Sequence, residues 1–199
     1  MRLPAKVLLV VAVSFALIAS CGIAAVLLIN NVLNQGKLSV GEAREFDEFP
    51  LYWLGESYRG LALTEINKFG FPSETLPSKP TVRFTYGDET CVESSCSAPI
   101  WIWIDPYCES TPEQELAWMQ HLASLPEYHD HSISDVKVRG VKGYLFGTRI
   151  HLWTETSHLM IDVKTTDPST TQVAEDLIPL NEDSGATPRP LPPPITTPC

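Results

Sequence analysis

The feature that most constrains this chain is a run of 23 residues, Val7 to Ile29, without a single charge. As a helix it would extend about 34 Å, and a bilayer core needs about 20 residues. Ser14, Ser20, Cys21 and Gly22 are the only interruptions of an otherwise apolar segment. A helix buried in a globular core normally carries a polar stripe, and this one has none. The segment therefore reads as a single transmembrane helix. A competing reading starts from Arg2 and Lys6 as a basic lead, followed by the apolar stretch Val7 to Leu17. Ile18-Ala19-Ser20-Cys21 then matches a bacterial lipobox, after which Cys21 would be lipidated and become the new N-terminus. Against that, a cleavable signal stops near about 15 apolar residues, whereas this one continues through Gly22 to Ile29. Cys21 stays a candidate lipidation site, and both readings anchor the same domain to the membrane.

Orientation follows from the charges before the segment, Arg2, Lys6 and the terminal amine, against Lys37 and Arg44 after it. The short N-terminus is expected inside the cell and the bulk outside. The expected layout is a cytoplasmic N-terminus at 1–6, a transmembrane helix at 7–29 and a juxtamembrane tether at 30–45. An extracytoplasmic domain at 46–180 and a Pro-rich disordered tail at 181–199 follow. The tail has 6 Pro in 19 residues and few apolar groups, so it cannot build a core. It is expected to be passive, although a Pro-rich segment can also dock in an aromatic groove.

The part beyond the apolar segment holds all 24 acidic residues and 12 of the 14 basic ones, a net charge of −12. A nucleic-acid partner is excluded, because polyanion binding needs a basic face. About 135 residues remain to form one core. Thr81-Val82-Arg83-Phe84-Thr85-Tyr86 alternates as a half-buried strand and closes at Gly87-Asp88. Ile100-Trp101-Ile102-Trp103-Ile104 is apolar on both faces, which predicts a central strand covered on both sides. Thr111-Pro112-Glu113-Gln114 opens a helix that places Leu116, Met119, Leu122 and Ala123 on one face and stops at Pro126. Four strands are then expected at 135–139, 143–146, 149–154 and 158–165, with a closing helix through Val173, Ala174, Leu177 and Ile178. Strands, helix, strands, helix, without βαβ alternation, predicts the α+β class: a mainly antiparallel sheet with two packed helices.

Cys91, Cys96, Cys108 and Cys199 fall in the exported part, where disulfides form. If 81–86 and 100–104 pair antiparallel, Cys91 and Cys96 share the connecting loop and Cys108 lies past the far strand end. Five strand residues span about 16 Å, beyond the reach of one bridge. Cys91–Cys96 is the expected pair, with Cys108 free or joined to Cys199. Pairing of Cys108 with Cys91 or Cys96 holds if the strands are not neighbours. A zinc site on these cysteines has loose spacing.

The candidate metal ligands are His129 and His131, a His-x-His pair after Pro126, with His121 on the preceding helix as a third. The plainer reading is a solvated polar loop. His151 and His158 are expected at the surface. No Gly-x-Ser-x-Gly, Ser-x-x-Lys, His-Glu-x-x-His or Gly-rich phosphate loop occurs, so no catalytic residue and no cofactor are expected. Five Trp fall in the exported part, most inside apolar runs. Trp101 and Trp103 are the candidate binding surface: with the isoleucines on one layer, the tryptophans face the other.

Phe49-Pro50-Leu51-Tyr52-Trp53-Leu54-Gly55, Gly60-Leu61-x-Leu63-Thr64, Phe84-Thr85-Tyr86-Gly87-Asp88, Cys96-Ser97-Ala98-Pro99 and Pro106-Tyr107-Cys108 form an ordered set. Over residues 49–108 the chain resembles an uncharacterised family of small membrane-anchored proteins of actinobacteria and related lineages. In that family a Cys directly follows the Tyr-Gly-Asp turn, whereas here it stands at Cys91. From Val136 to the final helix the chain is similar to lipoprotein-sorting and anti-sigma-associated envelope domains. The resemblance implies a membrane-anchored extracytoplasmic domain and supplies no catalytic residue. The expected function is a binding or structural role at the cell envelope, with an envelope protein as candidate partner. The alternatives are a metal-assisted hydrolase using His129 and His131, or an accessory subunit acting through the apolar segment.

Overall fold

The computed structural model describes residues 36–70, 80–92, 95–107, 111–181, 188 and 190–193. The apolar segment 7–29, with Cys21, lies outside them, as do Cys108 and Cys199. Among the described residues no helix is long and apolar enough to cross a membrane.

The domain is mainly antiparallel β, which corrects the α+β expectation. Among the described residues twelve strands form in chain order: β1 (Tyr52–Trp53), β2 (Ser57–Tyr58), β3 (Leu61–Phe69), β4 (Thr81–Tyr86), β5 (Thr90–Val92), β6 (Ser95–Ser97), β7 (Ile100–Pro106), β8 (Ile133–Val138), β9 (Val141–Phe146), β10 (Arg149–Trp153), β11 (Ser157–Val163) and β12 (Ile178–Pro179). Eight of them make one sheet, in the order β2-β3-β4-β7-β11-β10-β9-β8, with every neighbour antiparallel. It is two four-stranded meanders laid side by side, the second returning in reverse order. The described helices are short: α1 (Val40–Arg44), α2 (Pro112–Ala123) and α3 (Thr170–Glu175).

The closing helix falls short of expectation for a local reason. Pro179 lacks an amide proton and forces Ile178 toward extended backbone. The chain therefore leaves the helix at Asp176, and β12 pairs instead with β1. In the opposite sense, α1 forms within the stretch expected to be a tether. Ser39 and Glu42 make a reciprocal capping box, and Ala43 is fully buried. The 12-residue α2 starts and stops where the sequence indicates, with Thr111 as cap and Gln114 returning its bond.

Register sorts the central strands into two faces. Val82, Phe84 and Tyr86 of β4 stand beside Ile104, Ile102 and Ile100 of β7, which stand beside Leu159, Ile161 and Val163 of β11. All nine are essentially inaccessible to solvent. This aliphatic face joins a core with Phe46, Phe49, Leu51, Trp53, Val173, Ala174 and Leu177. Asn181 ties the covering segment down: its side-chain amide donates to the Phe46 and Phe49 carbonyls, and its oxygen accepts from the Leu51 amide. Within the Pro-rich tail Leu191 is buried in the same core, its amide donating to the Arg139 carbonyl.

Cys91 and Cys96 are directly opposed across β5 and β6 and are joined by a disulfide. β4 and β7 are neighbours, as the sequence argument for that pair required.

Candidate functional site

The alternation that buries Ile100, Ile102 and Ile104 on one face puts Trp101, Trp103 and Asp105 on the other. Across the sheet this second face is polar and aromatic, and its two halves differ.

In the half formed by β3, β4 and β7, Arg83 is the centre. Its guanidinium lies 5.0 Å from the Trp103 ring, 5.2 Å from Phe69 and 5.7 Å from Trp101. Trp103 and Phe69 also stack on each other, with centroids 5.6 Å apart. Glu65 and Glu89 approach the same guanidinium at 3.6 and 3.7 Å. The sequence placed Trp101 and Trp103 on an outward face. The structure leaves them half-buried, with Arg83 over their rings. Three polar atoms here are buried with no hydrogen-bond partner among the described residues: Arg83 Nε, Trp101 Nε1 and Thr85 Oγ1.

In the half formed by β8 to β11, α2 lies over the sheet and buries Met119 completely. Beneath it runs a chain of polar side chains that the sequence did not reveal. Thr81 donates its hydroxyl hydrogen to Asp105 Oδ1, and Asp105 Oδ2 lies 3.6 Å from His158 Nδ1. His158 Nε2 meets His151 Nδ1 at 3.2 Å, and Glu115 of α2 approaches that same nitrogen at 3.4 Å. His151 is fully buried and His158 nearly so, which overturns the expectation that both lie at the surface. The sheet face that the alternation leaves for them is covered by α2. Burial drives the His151 pKa down to about 3, and the neighbouring His158 adds to the shift. His151 is therefore a neutral imidazole. One tautomer serves most of these groups: a proton on His151 Nδ1 reaches both His158 Nε2 and Glu115, and the His158 proton on Nδ1 faces Asp105. It leaves His151 Nε2 as a buried acceptor, and His158 Nδ1, 3.6 Å from Asp105, likewise has no hydrogen-bond partner among the described residues. Trp153 stacks on His158 at 4.9 Å and meets Tyr144 edge-on at 5.8 Å, so its indole is pinned from two sides.

Beside this chain opens a cleft of about 620 Å³, within the size range of small-molecule sites. Tyr144 and the half-buried Val136 give it apolar surface with the buried Trp153 and Val141 behind, Pro112 and Pro193 flank it, and Lys137 and Lys142 stand at the same opening. Its geometry depends on two glycines. Gly140 follows Arg139 in a two-residue turn where both have positive φ, 95° and 49°, as a tight β8–β9 hairpin demands. At Gly143 an added Cβ would stand 2.2 Å from the His151 carbonyl oxygen, so only glycine lets β9 approach β10 this closely.

The His-x-His candidates do not converge. His129 donates from Nδ1 to the Pro126 carbonyl, with its other nitrogen 3.3 Å from Asp130. His131 packs edge-on against Phe146 at 5.2 Å. His121 is exposed on α2. Among the described residues no three His, Cys, Asp or Glu side chains are grouped to hold a metal.

Near the end of β11, Asp162 is almost wholly buried and bound by Arg149 at 2.8 Å, Lys164 at 3.1 Å and Thr148 at 2.8 Å. Burial alone would raise its pKa; the bonds from Arg149 and Thr148 outweigh it and hold the carboxylate below its ordinary value. It is a closed ionic cluster, with its donors already satisfied.

No family model, curated protein or solved structure matches the chain, and the site is read from its own chemistry.

Proposed function

We propose that this protein is a ligand-binding domain of the cell envelope, held at the membrane by its N-terminal apolar segment and taking its ligand in the cleft beside Trp153. The observation that carries the reading is the cleft itself: about 620 Å³, apolar in its wall and ringed by a few polar groups. That composition is what small-molecule sites share. The Cys91–Cys96 disulfide supports an oxidising compartment outside the cytoplasm. The net charge of −12 beyond the apolar segment keeps such a domain clear of anionic lipid headgroups.

A fragment set of mixed charge, screened against the full chain by ligand-observed NMR, tests the reading. Pro193 is exposed at the cleft wall, so Pro193→Trp places an indole there without removing a backbone donor. Fragments that bind the wild-type chain are expected to lose binding to Pro193→Trp. A set that binds both equally, or neither, contradicts the cleft as the site.

A second reading keeps an envelope protein partner on the Trp101–Trp103 half. It is favoured by the half-exposed Trp101 and Trp103 rings gathered around the Arg83 guanidinium, residue types enriched at protein interfaces.

A further inference from the structure

The hairpin that borders the cleft breaks a rule of strand pairing. Lys137 of β8 and Lys142 of β9 are directly opposed in the register. Like charges at such a position destabilise an antiparallel pair. The chain has 24 acidic residues against 14 basic ones, so carboxylates are not scarce. Yet neither lysine makes an ion pair among the described residues. Both are exposed and both line the cleft, where Asp135 is the one carboxylate of its lining. Departures from local consistency of this kind are expected at functional or strained positions.

We propose that the cleft takes a small organic anion, a carboxylate or phosphate carried on an aromatic or apolar body. The inference rests on the cleft being the binding site. Lys137 and Lys142 hold the charged group between them, which relieves their mutual repulsion. The body lies along the half-buried Tyr144 ring, which the buried Trp153 indole backs edge-on and His158 in turn supports. Selectivity then comes from the pair of ammonium groups, and apolar contact from the Tyr144 ring. Asp135 stands two residues along the same strand face and repels a second negative charge, which favours ligands with one charged end.

The test is calorimetric titration of the full chain in nanodiscs of zwitterionic lipid with three probes sharing one ring system: 1-naphthyl phosphate, 1-naphthol and 1-naphthylmethylamine. The phosphate is expected to bind once per chain, at least about tenfold tighter than the other two, and to weaken as salt is raised. Lys137→Gln/Lys142→Gln, two exposed positions, is expected to lower its affinity about tenfold while leaving naphthol unchanged. Naphthol binding as tightly as the phosphate, or a double variant with unaltered phosphate affinity, overturns the anion assignment. If that naphthol binding is lost in Pro193→Trp, the cleft still stands as the site. Binding of any probe that persists in Pro193→Trp, or no binding at all, overturns both.

Discussion

The two faces of β7 and β11 are made from the same strands and follow opposite rules. On one, Ile100, Ile102 and Ile104 meet Val163, Ile161 and Leu159, all without polar atoms and all buried. On the other, Trp101, Trp103 and Asp105 meet Asp162, Met160 and His158. The aliphatic face needs nothing but shape and supplies the apolar burial that drives folding. The polar face holds buried imidazoles, a buried carboxylate and a guanidinium among rings, each of which costs desolvation unless it is partnered. Residues that cost stability and serve no packing need are where function is to be sought. Folding rests on the first face, and the proposed recognition belongs to the second.

The aliphatic face should break hardest. Ile102→Ala removes a fully buried side chain from the middle strand and is expected to cost about 4 kcal/mol, read as a lower denaturant midpoint at unchanged slope. A loss under about 1 kcal/mol would mean that this face is not the core.

The polar face should show itself through pH. An unfolded His titrates near 6.5, and folded His151 near 3. Below 6.5 the unfolded chain therefore binds a proton that the folded chain refuses, so stability is full above that pH and falls as the pH drops toward 3. The slope approaches about 1.4 kcal/mol per pH unit, or about 2 kcal/mol lost between pH 6.5 and 5. His151→Leu is expected to flatten that part of the profile in urea titrations at fixed pH. An unaltered slope would place the buried proton site elsewhere.

The smallest effect is expected at the ring cluster. Arg83→Gln removes the charge over Trp101, Trp103 and Phe69 and should cost about 1 kcal/mol, with a changed near-ultraviolet circular dichroism from the two indoles. Stability and spectrum both unchanged would show that the cation does not organise this half.

Much of the fold was legible in the chain. The alternation of Ile and Trp at 100–104 announced a central strand with two covered faces, and the last four strands fell close to their expected places. The Ser39–Glu42 capping box was also there to be read, hidden by the polar composition around it. The class was misjudged because helical periodicity overstates length where Pro179 forces the chain to extend. The site was not legible. His151 and His158 lie seven residues apart, and nothing local says that an antiparallel turn brings their nitrogens to 3.2 Å beneath α2. His129 and His131 drew attention because metal ligands cluster in sequence, whereas the polar chain from Asp105 to Glu115 depends on register. The Lys137–Lys142 opposition likewise exists only once Arg139-Gly140 is known to be a two-residue turn.

The central claim, that recognition belongs to the polar face at its β8–β9 end, is tested most directly by amide and indole chemical-shift mapping of the full chain titrated with 1-naphthyl phosphate. The account predicts saturable shifts confined to residues 135–144 and the Trp153 indole, with the core amides of Ile102 and Ile161 unmoved. Shifts centred on Trp101 and Trp103, or none at any concentration, would contradict it.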